Sequence, residues 1–315
     1  MLSFLGFGSK RITPGLAGIE LRNEGVSLVR VVREPGRLPQ VTACEFRSWN
    51  DNGDERVKLL TSLSADHDLK HARCSTVLDA DEYTLLLTEA PDVTPDELRS
   101  AVRWRIKDLI DFHIDDATID VFDVTAASTP GKTRSMYVVA ARNAAIQRRV
   151  DICDNAGVGL DIVDIPEMAQ RNIASILPQD VRGVVMLSLS ARRGLITITR
   201  QGEIFLSRRV EIGTETLTET DDRAPYFDQI ALEVQRSLDY FDSHFRQTPV
   251  DNLVLSPSAG AVPGLMEYLN QNLNVKGSVL NLSEVLQFEP ASADLLAGRG
   301  FVALGAALRQ EEKAL

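Results

Sequence analysis

The chain has little cysteine, no long apolar run and less basic than acidic charge. Its 315 residues include three cysteines that are far apart and form no CxxC pair, so we expect no disulfide framework, and a reducing compartment fits. No apolar run approaches the roughly 20 residues of a membrane-spanning helix. Lysine and arginine number 34 against 45 aspartates and glutamates, a net charge of −11, which argues against a broad nucleic-acid footprint.

The N-terminus also lacks the order of a secretory leader. Its apolar residues precede its basic ones; they are Leu2, Phe4, Leu5 and Phe7, then Lys10 and Arg11. We therefore expect a cytoplasmic protein. Two interpretations of this stretch stay open: an unstructured end, or a weak anchor at the membrane surface in which apolar side chains insert and basic ones meet lipid phosphates.

The remaining sequence divides into two similar halves. Short β-rich runs separated by turn signals are followed in each half by a helix, a further strand and a further helical segment. The predicted strands are 18–21, 25–33, 40–46, 74–78, 83–87, 183–189, 194–200, 203–210 and 252–255, and the predicted helices include 55–63, 263–270 and 300–309. Two successive βββαβα units predict an α/β fold of the ribonuclease-H-like or actin-like type, with domains at 1–182 and 183–315 and a C-terminal helix that returns toward the first domain.

A long helix is predicted in the second half from its apolar spacing. Six residues recur at intervals of 3, 4, 4, 3 and 4, which places them on one helix face; they are Phe227, Ile230, Val234, Leu238, Phe241 and Phe245. This face is expected to be core.

An insert of α-β-β-α order is predicted at about 88–162. Thr94 and Glu97 form a capping box around Pro95 at the start of its first helix. The predicted core face of that helix is Leu98, Val102, Ile106 and Leu109. Strands at 117–124 and 135–141 follow, and a second helix runs from Asn143 to a stop at Gly157.

Motifs of common enzymes are absent from the sequence. There is no GxxxxGK[ST], HExxH, GxSxG or GxGxxG. His67 and His71 are the only close histidine pair, and without a third ligand we expect no metal site. The acidic cluster Asp111, Asp115 and Asp116 is interpreted as a polar turn.

Six segments, in order along the chain, carry a family resemblance. They are 18–31 (beginning Gly-Ile-Glu-Leu-Arg), 110–116 (Ile-Asp-Phe-His-Ile-Asp-Asp), 139–143 leading to 156–157, 233–241 (Glu-Val-Gln-Arg-Ser-Leu-Asp-Tyr-Phe), 255–256 through 263–265, and 304–309. Together they resemble the PilM family of actin-like type IV pilus assembly proteins, and most of all its MshI branch, from mannose-sensitive haemagglutinin (MSHA) pilus biogenesis. The resemblance implies an actin-like fold with a small insert subdomain in the first domain.

The family's nucleotide loops are altered in this chain. In the first phosphate loop, Glu20 replaces the family Asp, Arg22 replaces the Gly and Ser27 replaces the Lys. The second loop has Ser188 and Ser190 at its Asp-x-Gly positions. Because phosphate binding needs glycine backbone and Mg²⁺ needs carboxylates, these changes disfavour ATP and Mg²⁺.

The adenosine loop is altered as well. Pro257 and Ser258 stand where the family has two glycines, although Ala259 and Gly260 keep small side chains. The other positions that the resemblance places in this degenerate cleft are Asn23 and Gly213. We expect no cofactor and no ATP hydrolysis, although arginine could neutralise a phosphate without a metal.

These observations favour a non-enzymatic scaffold at the pilus inner-membrane platform. By resemblance, its partner is the N-terminal cytoplasmic tail of a PilN-like or MshJ-like single-span membrane protein. The pilus assembly ATPase is a second candidate partner. We also expect peripheral contact with the inner membrane and no binding of nucleic acid. Two alternatives stay open: a nucleotide-binding PilM-type ATPase, and the cytoplasmic part of a type II secretion L protein.

The partner tail is predicted to lie in a groove between the first subdomain and the insert. Short extended segments dock by strand pairing and side-chain pockets. We expect Phe112 and Ile114 to be the apolar anchors. A basic stripe beside them is expected to stay available for anionic lipid or another subunit, because a tail that enters a membrane is commonly basic; it consists of Arg99, Arg103 and Lys107, next to Trp104.

Overall fold

A computed structural model describes residues 14–49, 53–124, 135–245 and 247–310. The N-terminal stretch, for which an unstructured end and a weak membrane anchor are the two open interpretations, lies outside these residues. Within them, no helix is both long and apolar enough to cross a bilayer.

The first half is built on a five-stranded sheet in the order β3-β2-β1-β4-β8. β1 pairs antiparallel with β2 and parallel with β4, so the three-strand meander is extended by crossover strands. Its elements are β1 (Leu16–Leu21), β2 (Gly25–Val32), β3 (Gln40–Ser48), α1 (Gly53–Asp66), β4 (Arg73–Val77), α3 (Asn143–Asn155), β8 (Leu160–Asp164) and α4 (Pro166–Ala174).

The second half repeats this topology with the strand order β11-β10-β9-β12-β13. The repeat confirms the predicted duplicated α/β fold. Its elements are β9 (Val184–Leu189), β10 (Gly194–Arg200), β11 (Glu203–Val210), α5 (Thr214–Glu219), α6 (Ala224–Phe245), β12 (Asn252–Leu255), α7 (Pro257–Gly260), α8 (Leu265–Asn272), β13 (Lys276–Val279), α9 (Ala293–Ala297) and α10 (Phe301–Ala307).

The insert between β4 and α3 differs from the predicted α-β-β-α unit. It consists of β5 (Tyr83–Glu89), α2 (Pro95–Ile106), β6 (Ala117–Val124) and β7 (Ser135–Arg142), with the sheet order β5-β7-β6. The predicted start at 88 is therefore wrong, because β5 pairs with β7 along its whole length. The predicted second helix of the insert is α3, which packs through Cys153 onto the core of the first sheet.

The predicted helix faces are confirmed except at one end of α2. Val102 and Ile106 are fully buried, whereas Leu109 is 59% exposed. The helix ends at Ile106, so the helical spacing that placed Leu109 on the core face no longer applies there. In α6 the predicted apolar face is buried from Phe227 to Phe241, and Phe245 packs partly buried against it.

Two helices, α4 and α10, fill the space between the two sheets. They share one core with the inner faces of both halves, which include Val29 and Val31 of β2 and Met186 of β9. The packing is close enough to require glycine: a Cβ on Gly18 of β1 would lie 2.0 Å from the Ala303 carbonyl oxygen of α10. The outer faces of the sheets are covered by α1 and α3 in the first half and by α6 and α8 in the second.

Candidate functional site

The first loop of the degenerate cleft, between β1 and β2, is occupied by its own side chains. Arg22 binds Glu20 through two guanidinium nitrogens, Nε at 2.8 Å and Nη2 at 2.9 Å. The Arg22 amide donates to the Gly25 carbonyl at 2.8 Å. The Trp49 indole donates to the carbonyls of Arg22 and Asn23, at 3.1 and 2.9 Å. The Glu20–Arg22 ion pair and the carbonyls of Arg22, Asn23 and Gly25 therefore all have partners.

Burial and the neighbouring charge shift the pKa of Glu20 in opposite directions. Burial raises the pKa of the Glu20 carboxyl above its ordinary value, and the Arg22 guanidinium opposes that rise. Ser27, at the family's lysine position, is fully buried and donates to the Arg299 carbonyl at 2.8 Å. A side chain at this position thus connects β2 to the segment before α10 and does not point into an open cleft.

A second ion-paired cluster borders the same loop. Arg149 of α3 donates to Asp79 at 2.8 Å, to Glu82 at 2.7 Å and to the Leu21 carbonyl at 3.3 Å. Its side chain is 8% exposed. The positive charge of Arg149 is therefore balanced by two carboxylates, next to the end of β1.

The second loop, which includes the last residues of β9 and leads into β10, contacts both α4 and itself. The Ser188 hydroxyl donates to the Gln170 side chain of α4. The Ser190 amide and hydroxyl both donate to the Arg193 carbonyl, each at 2.8 Å. A Cβ on Gly213 would lie 2.3 Å from the Ala191 carbonyl oxygen, so this glycine is needed for close packing of the loop on α5.

The third loop forms the short helix α7. Ser256 caps it by accepting from the Ala259 amide at 3.3 Å, and Ser258 donates to the Leu189 carbonyl of the second loop at 2.8 Å. Pro257 occupies the first turn of this helix. A Cβ on Gly260 would lie 2.4 Å from the Val279 side chain, so β13 packs directly on this loop.

Taken together, the structure joins the second and third predicted loops by a hydrogen bond. In the described parts of the chain, no group of three or more His, Cys, Asp and Glu residues could hold a metal ion. The histidine pair is divided between two carboxylates, His67 on Glu45 at 2.7 Å and His71 on Asp68 at 2.6 Å.

The partner residues predicted from the sequence do not all lie on the outer surface of the insert. Trp104 is 73% exposed, and the Lys107 ammonium lies 3.5 Å from its ring centroid. The expectation that Arg103 is available is wrong, because its guanidinium donates to the carbonyls of Ile114 and Ala117, at 2.7 and 3.3 Å. Arg99 lies on the exposed surface.

Phe112 and Ile114 are half-buried and pack against the core between α2 and the insert sheet. The Arg142 guanidinium covers the Phe112 ring at 4.4 Å. Their role as anchors for a partner stays a prediction.

A cavity of about 330 Å³ lies where the insert meets both halves. It is bordered by β6 and β8, each of which is an edge strand of its sheet. Its lining is Asp120, Val121, Phe122, Asp123, Val139, Val163, Asp164, Ile165, Met168, Arg171, Gly202, Glu203, Ile204 and Arg309. None of the partner residues predicted from the sequence lines it.

Two polar contacts shape this cavity. Arg309, after α10, pairs with the buried Asp164 at 2.9 Å. Asp180 accepts from the Gly202 amide at 2.6 Å and thereby holds the β10–β11 turn against the cavity. The sequence does not identify Asp164, Asp180 or Arg309 as site residues, because their partners lie far away along the chain; Asp164 ends β8, whose five residues follow the glycine-containing segment 157–159.

Comparisons with known proteins agree with this architecture. A family model described as type IV pilus assembly protein PilM matches residues 86–224 and 220–311. A solved PilM–PilN type IV pilus biogenesis complex is similar, with a TM-score of 0.74, 21% identity, and coverage of 95% of this chain and 98% of that chain.

Two further solved structures share the fold. The cytoplasmic domain of EpsL, an inner-membrane component of the type II secretion system of Vibrio cholerae, has a TM-score of 0.52 and 11% identity, covering 94% of this chain and 96% of that chain. An actin-like ATPase-fold protein of unknown function from Bacteroides thetaiotaomicron has a TM-score of 0.50 and 9% identity, covering 94% and 99%. A comparison with curated protein sequences finds no match.

Proposed function

Because the chain belongs to the family of type IV pilus assembly protein PilM, we propose that it is a non-enzymatic scaffold that binds the cytoplasmic tail of a PilN-like membrane protein. The solved relative with a TM-score of 0.74 is a PilM–PilN complex, which supports this class of partner. The residue resemblance to the MshI branch supports the MSHA pilus as the system in which it acts.

The tail is proposed to bind in the cavity between β6 and β8. The edge strands β6, β8 and β11 of three sheets meet there, and the backbone of an edge strand can pair with an extended segment. Apolar side chains such as Val139, Met168 and Ile204 provide contact surface, and the charged part of the lining contains both acidic residues and the arginines Arg171 and Arg309.

Tail binding can be measured by fluorescence anisotropy of a labelled peptide from the N-terminus of the PilN-like protein. Val139→Trp should fill the cavity and weaken binding by at least tenfold. Leu232→Trp is the matched control, because Leu232 is 47% exposed on α6, outside the cavity lining, and this change should leave binding unaltered. Equal affinity of both variants would place the tail elsewhere.

Two further variants separate the cavity from the surface predicted from sequence. Phe112→Ala tests the anchor position, and replacing Arg99, Arg103 and Lys107 together by Ala tests the basic stripe at two salt concentrations. If the triple change abolishes binding in a strongly salt-dependent way while Val139→Trp binds normally, the cavity is not the site.

The scaffold proposal includes the absence of a nucleotide-dependent activity. The loops use their own side chains and amides where a nucleotide would need them, as at Arg22 and Ser190. A ligand at 100 times its Kd would stabilise the fold by about 2.7 kcal/mol, so binding would raise the melting temperature measurably. We expect no shift with millimolar Mg-ATP. A shift that Arg22→Glu abolishes would favour the alternative, a PilM-type ATPase.

A further inference from the structure

The insert makes a direct contact with the second half of the molecule. Tyr137 of β7 places its hydroxyl on β11, the edge strand of the second sheet. This oxygen accepts from the Ser207 amide at 3.0 Å, and the hydroxyl donates to the Phe205 carbonyl at 3.4 Å. One side chain therefore occupies two backbone groups of β11.

A buried polar cluster forms a second contact at the same junction. Arg209 of β11 donates to Glu167 of α4 at 3.1 Å and to the Ala80 carbonyl at 2.7 Å. Its guanidinium lies 4.8 Å from the ring centroid of Tyr83, the first residue of β5. The Tyr83 hydroxyl also donates to Glu167, which is 1% exposed. Because a buried carboxylate is costly without its partners, this cluster favours one arrangement of the insert, α4 and β11.

Apolar side chains also pack between the insert and β11. Phe122 and Tyr137 stack with ring centroids 5.2 Å apart. Val124 and Tyr137 are buried in the same core as Phe205 and Leu206 of β11. The insert thus shares a hydrophobic core with the half of the chain to which it does not belong in sequence.

This junction adds to other connections between the halves. In the middle, α10 crosses β1 at Gly18 and α4 at Gly305. At the far edge of the first sheet, the Val41 amide donates to the Gln287 carbonyl at 2.8 Å, and the Gln287 amide donates to the Pro39 carbonyl at 2.9 Å. At the remaining edge, next to β8 and β11, the contacts of the insert lie beside the ion pair between Arg309 and Asp164, at 2.9 Å.

We propose that the insert is an internal brace that fixes the angle between the two halves. Packed helices can slide or rotate past one another in hinge and shear motions. A rotation that opened the halves at the β11 edge would separate Tyr137 from β11 and leave Glu167 without Arg209. The two halves therefore behave as one body, held by the contacts of Tyr137, Tyr83 and Arg209.

The distance between the halves tests this proposal. Spin labels can be attached at Lys58→Cys on α1 and Glu267→Cys on α8, both of which are exposed. The half-buried Cys44 is replaced by Ser in all proteins, whereas the other two native cysteines are buried. Double electron–electron resonance then reports the distribution of distances between the halves.

The brace variant is Tyr137→Phe with Arg209→Gln, which removes the hydroxyl and the guanidinium contacts. Its matched control is Tyr268→Phe with Arg208→Gln, because Tyr268 contacts Asp228 and Arg208 pairs with Glu233 at 2.8 Å, all within the second half. We expect a single narrow distribution for the parent and the control, and at least a doubled width for the brace variant.

Two results would overturn the proposal. One is a brace variant that is folded by circular dichroism and keeps the narrow distribution. The other is a parent protein that already shows a broad or double distribution. If the double change prevents folding, Tyr137→Phe alone is measured, and it is expected to broaden the distribution to a smaller degree.

Discussion

Gly18→Ala should be among the most damaging single-methyl changes in this protein. The added Cβ would lie 2.0 Å from the Ala303 carbonyl oxygen and 2.8 Å from the Ala307 amide nitrogen. Both atoms belong to the backbone of α10, so no side chain can rotate away. Relief of the clash requires α10 to move by about 1 Å, since real Cβ contacts below 3.0 Å are essentially never seen.

The loss of stability in Gly18→Ala depends on the residues against which α10 packs. Phe301, Ala303 and Leu304 are buried in the core shared by both sheets. A gap of 0.5–1 Å forfeits about a quarter to a half of the van der Waals attraction at each contact. Overpacking of this kind costs about 1–3 kcal/mol, and we expect the upper end, about 3 kcal/mol, which exceeds the ~0.4–1 kcal/mol that alanine contributes through the unfolded chain.

The assay is thermal unfolding with Gly194→Ala as the matched control. Gly194 is also in a strand, and its added Cβ would meet the flexible Leu189 side chain at 3.0 Å and backbone only at 3.3 Å. At roughly 2–4 °C per kcal/mol, Gly18→Ala should lower the melting temperature by about 6–12 °C and the control by much less. Equal shifts for the two variants would refute the close crossing of β1 and α10.

Three other predictions concern the second half and the thiols. Leu238→Ala should cost about 2–5 kcal/mol because Leu238 is buried on α6, whereas Arg236→Ala, on the exposed side of the helix, should cost little; urea unfolding measures both. Burial raises the pKa of the Cys44 thiol to about 11, so alkylation by iodoacetamide at pH 8 should be slow compared with free cysteine and should accelerate as the pH rises. The hydrogen bond from Arg208 lowers the pKa of Glu233, so the stability that Glu233 adds over Glu233→Gln is present above about pH 4.3 and is lost as the pH falls through the lowered pKa. Urea unfolding of the parent protein and of Glu233→Gln between pH 7 and pH 3 measures this; a difference in their free energies of unfolding that grows toward low pH would contradict it.

The residues of the degenerate cleft show which features of the site the sequence could predict and which it could not. Substitution of the family's glycines and acids at Arg22, Ser188 and Pro257 was visible without a structure. The sequence did not show that Arg22 folds back onto Glu20, or that Ser188 contacts Gln170 of α4. These contacts depend on side-chain geometry and on elements that are distant in sequence.

The order of strands and helices in the sequence made the duplicated fold the leading candidate, and the family resemblance implied it as well. The core face of α6 followed from helical spacing, which is a local property of the chain. Tertiary structure alone decided three features. The strand Tyr83–Glu89 joins the insert because its pairing partner, β7, lies about 50 residues away. Arg103 is held by carbonyl oxygens that no local pattern reveals. The cavity and the brace arise where β6, β8 and β11 meet, and only folding brings the edges of three different sheets together.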